Sequence, residues 1–209
     1  MRLILDVGSG NSLPDCDTVV RIVDAIKRVD TGKHEIILKS QLFENAPPNT
    51  PIRNVVFEYL YYYGSKLGYQ VTASVFDKNS LAYLLQFHPL PFVKIACRPD
   101  LYWLAGEIKR DMPIYISCSD RLPKDYSNTV KLLCISKYPA DEKEYSHKLF
   151  IYTEAQGISD HTAGWGMYKS WNKLWVMKYW EKHIVLNRDP SNPDSGAFAI
   201  LPDDLKEIM

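Results

Sequence analysis

Two spacings of apolar residues alternate along this chain. Short runs rich in Val, Ile and Leu lie at residues 3–8, 35–38, 70–76, 92–97, 113–117, 130–135, 155–159 and roughly 176–185. Runs of this length and composition predict strands buried on both faces. Segments of helical period separate several of them. Val19, Ile22, Val23 and Ile26 fall on one face of a predicted helix, with Ser12 as its cap and Pro14 in its first turn. Val56, Leu60 and Leu67 line a second helix that ends near Gly68. Asp77 caps a third that runs through Phe87, a fourth covers 101–110, and a last one covers 203–209. Residues 45–51, rich in Pro and Asn, read as a loop.

Strands alternating with helices predict an α/β fold with a parallel sheet. Eight such strands close most simply into a (β/α)8 barrel, and an open doubly wound sheet of five or six strands is the alternative. Two connections are thin. Only 120–128, with Pro123 inside, follows the fifth strand; 137–150, highly charged and opening with Tyr138-Pro139, follows the sixth. The expected barrel is therefore a reduced one, with shortened or missing helices after strands five and six.

Length and charge narrow the function classes. The chain has 209 residues, 46% hydrophobic and 24% charged, which suits a single globular domain over 1–209. Twenty-five Lys and Arg balance twenty-five Asp and Glu, so nothing advertises a nucleic-acid partner. Cys16, Cys97, Cys118 and Cys134 form no C-x-x-C pair. No apolar run approaches the ~18 residues of a membrane helix, and the apolar start ends at Asp6, short of a secretory leader. The expectation is a cytoplasmic protein with no membrane partner.

In a barrel, chemistry sits at the C-terminal ends of the strands. The predicted ends carry Asp6, Lys39, Gln41, Ser74, Lys94, Ser117, Ser136, Tyr138, His161 and Lys182. Lysines with hydroxyls suit a small, multiply anionic substrate. Lys39 and Lys94 follow or interrupt apolar runs, where a lysine requires a partner. Taken alone, His161 reads as a satisfied structural histidine, and Cys97, Cys118 and Cys134 as small core residues.

The order of short motifs adds a resemblance. Lys39-Ser40-Gln41, Ser74-Val75-Phe76-Asp77 and Lys94-Ile95-Ala96-Cys97 come first. Cys134-Ile135-Ser136-Lys137-Tyr138-Pro139, Ser159-Asp160-His161-Thr162, Glu181-Lys182-His183-Ile184 and Pro193-Asp194 follow. In this order, over nearly the whole chain, they resemble the sialic acid synthase family, the N-acetylneuraminate synthases and their spore-coat polysaccharide relatives. The resemblance implies a (β/α)8 barrel that condenses phosphoenolpyruvate with an N-acetylated sugar, such as N-acetylmannosamine, into a nonulosonic acid. It implies a divalent metal, manganese or magnesium, that polarises the sugar aldehyde.

Carried over by motif, Lys39 and Lys94 bind phosphoenolpyruvate with Ser74, Ser117 and Ser136, and Gln41 and Lys182 complete the substrate set. His161 is the implied metal ligand. Tyr138 and Asp194 face the sugar, and Asp6 stands where the family has a glutamate. Departures from the pattern are Leu133 at a metal-ligating histidine, Cys97 at a serine, Pro99 at a glutamate, and no histidine among residues 8–12. The family's C-terminal antifreeze-like domain, which supports its dimer, has no counterpart in these 209 residues; a homodimer remains the assembly implied. Two functions are open on this reading: a divergent synthase with an altered acceptor or no metal, and a pseudoenzyme that binds a small anion or a protein.

Overall fold

The computed structural model describes residues 1–43, 51–120, 126, 128–151, 154–171 and 177–209. Eight parallel strands close into one barrel in sequence order: β1 (Arg2–Asp6), β2 (Glu35–Leu42), β3 (Gln70–Val75), β4 (Val93–Ile95), β5 (Ile114–Cys118), β6 (Thr129–Cys134), β7 (Gly157–Asp160) and β8 (Tyr179–His183). β8 returns to β1 with Asp6 opposite His183. The barrel, not the open sheet, is the fold.

Helices α1 (Cys16–Val29), α2 (Asn54–Lys66), α3 (Lys78–Leu84), α4 (Glu142–Ile151) and α5 (Gly166–Trp171) stand between strands. Asp15, not Ser12, caps α1 by accepting from the Thr18 N–H; Ser12 takes a left-handed conformation before the helix begins. Asp77 caps α3 as expected, in a reciprocal capping box with Ser80, but the helix stops at Leu84. The predicted helices near 101–110 and 203–209 are 3-10 segments, Pro99–Glu107 and Pro202–Glu207. The connection after strand six carries a helix, α4, of ten residues, shorter than the fourteen of α1 and the thirteen of α2. The predicted loop at 45–50, most of 120–128 with Pro123, and Val176 lie outside the described residues.

Parity along each strand divides the barrel into an outer and an inner core. Outward residues such as Leu3, Leu5, Ile36, Leu38, Val93, Ile95, Ile116 and Leu133 pack against the helices. The inner floor is a small apolar plug of Ile4, Ile37, Phe92, Tyr115 and Leu132, with Phe92 stacked on Tyr115 at 3.8 Å between ring centroids. Eight strands leave an interior that side chains must fill, and this plug does so at the N-terminal end. Above it, the inward positions turn polar.

β2 is longer than its apolar run, reaching Leu42, so Lys39, Ser40 and Gln41 are strand residues. Lys39 and Gln41 inherit the inward parity of Ile37. Two strands close tightly through Gly157: a Cβ there would stand 2.6 Å from the Tyr179 Cβ and also strike the Tyr179 carbonyl. Gly157→Ala is expected to destabilise the barrel by about 1–3 kcal/mol, as overpacking does. Urea unfolding measures this, and an unchanged midpoint would contradict the close approach.

Candidate functional site

The inward polar residues surround a cavity of about 580 Å³ at the C-terminal mouth of the barrel. Its base is a chain of four buried charges. Lys39 Nζ lies 2.5 Å from Asp6 Oδ2 and 3.1 Å from Glu181 Oε1, and Lys94 Nζ lies 3.4 Å from Glu181 Oε2. Asp6 and Lys39 are direct partners in the β1–β2 register, so neighbouring strands deliver the tightest pair. Asp6 also accepts from Gln41 Nε2 at 2.9 Å and from the Gly8 N–H at 3.0 Å. All four charged side chains are at most 6% exposed.

Burial opposes the charge on Asp6, Glu181 and Lys39, and their pairing reverses that. Burial raises the Asp6 carboxyl, but Lys39 and His183 outweigh it and hold Asp6 well below the usual carboxylate range. Glu181 is likewise raised by burial yet brought down to about 2 by Lys94 and Lys39. Burial depresses Lys39, while Asp6 and Glu181 drive it above its ordinary value. The base is therefore a neutral zwitterion of two cations and two anions.

Both lysines use their remaining donors on serines. Lys39 donates to Ser74 Oγ at 3.1 Å, and Lys94 to Ser117 Oγ at 2.8 Å and the Ile95 carbonyl at 3.0 Å. A serine oxygen that accepts from an ammonium keeps its own O–H as a donor. The two hydroxyls thus act as extensions of the lysines.

Rings form the opposite wall. Tyr138, exposed at the mouth, lies over His161 at 4.3 Å, and Phe198 stands 5.0 Å from Tyr138 and 5.2 Å from His183. His161 is set by its backbone: Tyr145 of α4 accepts from its N–H at 3.1 Å and donates to the Ser159 carbonyl at 2.6 Å. Its Nδ1 lies 2.8 Å from the Ile135 carbonyl. A carbonyl only accepts, so Nδ1 carries the proton and Nε2 keeps a lone pair. Burial and then His183 lower the imidazole to about 3, so it is neutral.

Asp194 reaches the mouth on a loop pinned to the turn after β1. Ser9 Oγ donates to its carboxylate, and Asn192 Nδ2 donates to the carbonyls of Ser9 and Gly10 at 2.8 and 3.2 Å. A Cβ at Gly10 would stand 2.7 Å from the Asp194 carbonyl oxygen, so glycine permits this closure.

Ten expected residues line the cavity: Asp6, Lys39, Gln41, Ser74, Lys94, Ser117, Ser136, Tyr138, His161 and Asp194. Lys182 does not. It points outward, where it lies 3.1 Å from Asp160 and donates to the Thr162 carbonyl at 2.6 Å, so its role is structural. Its neighbours Glu181 and His183 face inward instead, and these were missed as site residues. Strand parity is the signal that separates them: Trp180 and Lys182 share the outward face. Cys97 and Cys134, read as inert core, also line the cavity, whereas Cys118 packs in the outer core.

Leu133, which by motif stands at a metal-ligating histidine, turns its side chain to the outer core; Cys134 is the inward residue at that strand end. Among the described residues, no group of three or more His, Cys, Asp or Glu side chains is arranged to hold a metal ion. Asp6 and Glu181 are committed to lysines, which leaves the imidazoles of His161 and His183, 5.6 Å apart between ring centroids, too few to complete a ligand set. The residues present do not fit a resident divalent metal. No helix among the described residues is long and apolar enough to cross a membrane.

Solved structures share this architecture. An N-acetylneuraminic acid synthetase from Leptospira borgpetersenii, solved in complex with citrate, superposes with a TM-score of 0.75 at 19% identity, covering 99% of this chain and 80% of that one. The spore coat polysaccharide biosynthesis protein spsE from Bacillus subtilis superposes at 0.74 and 20% identity, covering 99% and 65%. The chain has the fold of the sialic acid synthases. A truncated 3-deoxy-D-arabino-heptulosonate 7-phosphate synthase from Thermotoga maritima is more distant, at 0.68 and 9% identity over 100% of this chain and 83% of that one. No family model and no curated protein matches the sequence. The barrel fold is thus shared at an identity where sequence comparison finds no match.

Two outcomes test this site. Lys39→Met leaves Asp6 and Glu181 short of a buried cation and is expected to cost about 3–5 kcal/mol, most of which the added Asp6→Asn change should restore. Denaturant unfolding of the cycle reads this directly; additive losses would contradict the coupling. His161, depressed from 6.5 to about 3, binds its proton in the unfolded chain first. Its contribution to stability is complete above pH 6.5 and is lost as pH falls toward 3. Between pH 7 and 5 this is about 2 kcal/mol, at about 1.4 kcal/mol per unit. His161→Gln should remove that part of the slope, and an unchanged slope would refute the neutral assignment.

Proposed function

We infer that the cavity binds phosphoenolpyruvate, or a similar small anion bearing phosphate and carboxylate, for condensation with an N-acetylated aldose. The observation that carries this reading is the convergence of Lys39 and Lys94 from two strand ends, each holding a serine hydroxyl toward one cavity. The motif resemblance and the shared fold support it. A dianionic ligand would draw on Ser74, Ser117 and Ser136 as donors, with the lysine charges behind the first two. Ordering the two substrates lowers the barrier by proximity, and donors placed where charge develops lower it further.

In such a condensation the enol carbon attacks the open-chain aldehyde, water adds at the phosphate-bearing carbon, and phosphate leaves. The ring wall of Tyr138, His161 and Phe198 offers the sugar a face to stack against. His161 Nε2 accepts a hydrogen bond from a sugar hydroxyl, and Asp194 accepts another. With the donor set found here, these protein groups would orient the aldehyde without a metal. A second reading, a pseudoenzyme that binds an anion without turnover, is favoured by the same base: Asp6 and Glu181 already neutralise both lysines.

Phosphoenolpyruvate at ~100 times its dissociation constant is expected to stabilise the fold by about 2.7 kcal/mol in a thermal-shift titration, and Ser74→Ala with Ser117→Ala should abolish the effect. A ligand with no effect, or one indifferent to both serines, would overturn the reading. Manganese is expected to add nothing to that shift; a stoichiometric metal-dependent shift would contradict the donor analysis. Phosphate release from phosphoenolpyruvate with N-acetylmannosamine distinguishes a synthase from a binder.

A further inference from the structure

One helix of the outer ring turns tyrosine toward solvent. α2 buries Val56, Phe57, Leu60 and Tyr61 in the outer core. Its other face carries Val55, Glu58, Tyr59, Tyr62, Ser65 and Lys66, all exposed. Among the described residues five large apolar side chains are exposed, and three of them, Val55, Tyr59 and Tyr62, stand on this face. Tyr138, another of the five, belongs to the cavity. Tyr62 is 66% exposed, the most open of the group.

The rings of this face are already ordered. Tyr59 stacks on Tyr63 at 5.7 Å between centroids, and Tyr63 donates to Asp24 of α1 at 2.7 Å. Tyr62 and Tyr61 meet edge to face at 5.4 Å. Glu58 accepts from the Tyr83 hydroxyl at 3.2 Å. Side chains held in one arrangement lose little entropy when a partner covers them. The Lys66 ammonium has no partner among the described residues.

The sequence of this face is complementary to itself. Glu58 lies four residues before Tyr62 and Lys66 four after, so at about 1.5 Å per residue they stand about 6 Å to either side, on opposite flanks of Tyr62. Tyr59 and Ser65 lie three before and three after. A two-fold axis through Tyr62 lays a second α2 antiparallel on the first. Each Glu58 then faces the partner's Lys66, each Tyr59 faces the partner's Ser65, and the two Tyr62 rings meet on the axis. Acid meets base twice, and a bulky ring meets a small side chain twice. A parallel pair would instead set like charges at the same height.

We propose that the exposed face of α2 is the contact through which two copies of this chain associate, antiparallel about a two-fold axis at Tyr62. None of its residues lines the cavity, so the proposal stands apart from the reading of the anion site.

The test is sedimentation velocity of the full-length protein from sub-micromolar to high micromolar concentration. Dimers are expected to form as concentration rises, and Tyr62→Glu should leave monomers throughout. Glu58→Lys and Lys66→Glu, each alone, set like charges against each other twice and should weaken association by about tenfold or more. Mixing these two variants should restore the dimer as a heterodimer, because each offers the charge the other needs. The doubly reversed chain, Glu58→Lys with Lys66→Glu, should self-associate like the unmodified one. A protein that stays monomeric at the highest concentration, a dimer indifferent to Tyr62→Glu, or single reversals that fail to combine would overturn the proposal. The reversal pair decides this even if Tyr62→Glu fails to fold.

Discussion

The interior of this barrel depends on the chain of charges from Asp6 through Lys39 and Glu181 to Lys94. Each group sits where water is excluded, and each alone would cost several kcal/mol to bury ionised. Together they form alternating contacts of 2.5, 3.1 and 3.4 Å, so each group faces one of opposite charge. The four come from β1, β2, β4 and β8, so the network forms only when the barrel has closed and β8 has returned beside β1. A buried network of this kind favours one register over its slips, because a shift of one residue would send a lysine into the outer apolar shell.

The same constraint shapes the cavity. With the base neutral, an anion is not drawn to an unopposed positive cluster; it must be recognised by directed donors. Ser74 and Ser117 are suited to this because each already accepts from an ammonium. Facing them, the rings of Tyr138, His161 and Phe198 supply surface with few competing charges. The site is thus polar on one side and aromatic on the other.

Loops outside the barrel hold the mouth in place. Asn11 donates to the Val7 and Ile184 carbonyls and accepts from the Leu186 N–H, joining the turn after β1 to the segment after β8. Asn192 and Ser9 extend that seam to Asp194. Tyr145 plays the matching part across the barrel, connecting β6 and β7 to α4 and setting the backbone of His161.

Much of this was legible in the residues. Eight apolar runs predicted eight strands because a parallel strand buried on both faces reads as continuous hydrophobic sequence. Lys39 and Lys94 stood out because a lysine in such a run must be paired, and both are. Parity was what the linear reading left unused: within Glu181-Lys182-His183 it selected Lys182, while the structure turns Glu181 and His183 inward and pairs Lys182 with Asp160 on the outer face. Other facts had no local signal at all. That Asp6 and Glu181 neutralise the lysines and that His161 keeps its Nε2 free both depend on contacts between residues far apart in the chain. Sequence by itself determined the order and kind of elements and the stock of chemical groups, since these follow from local spacing and composition. Only the closed barrel decided which groups share a face and which charges cancel, because those depend on register and closure between strands that no short stretch encodes.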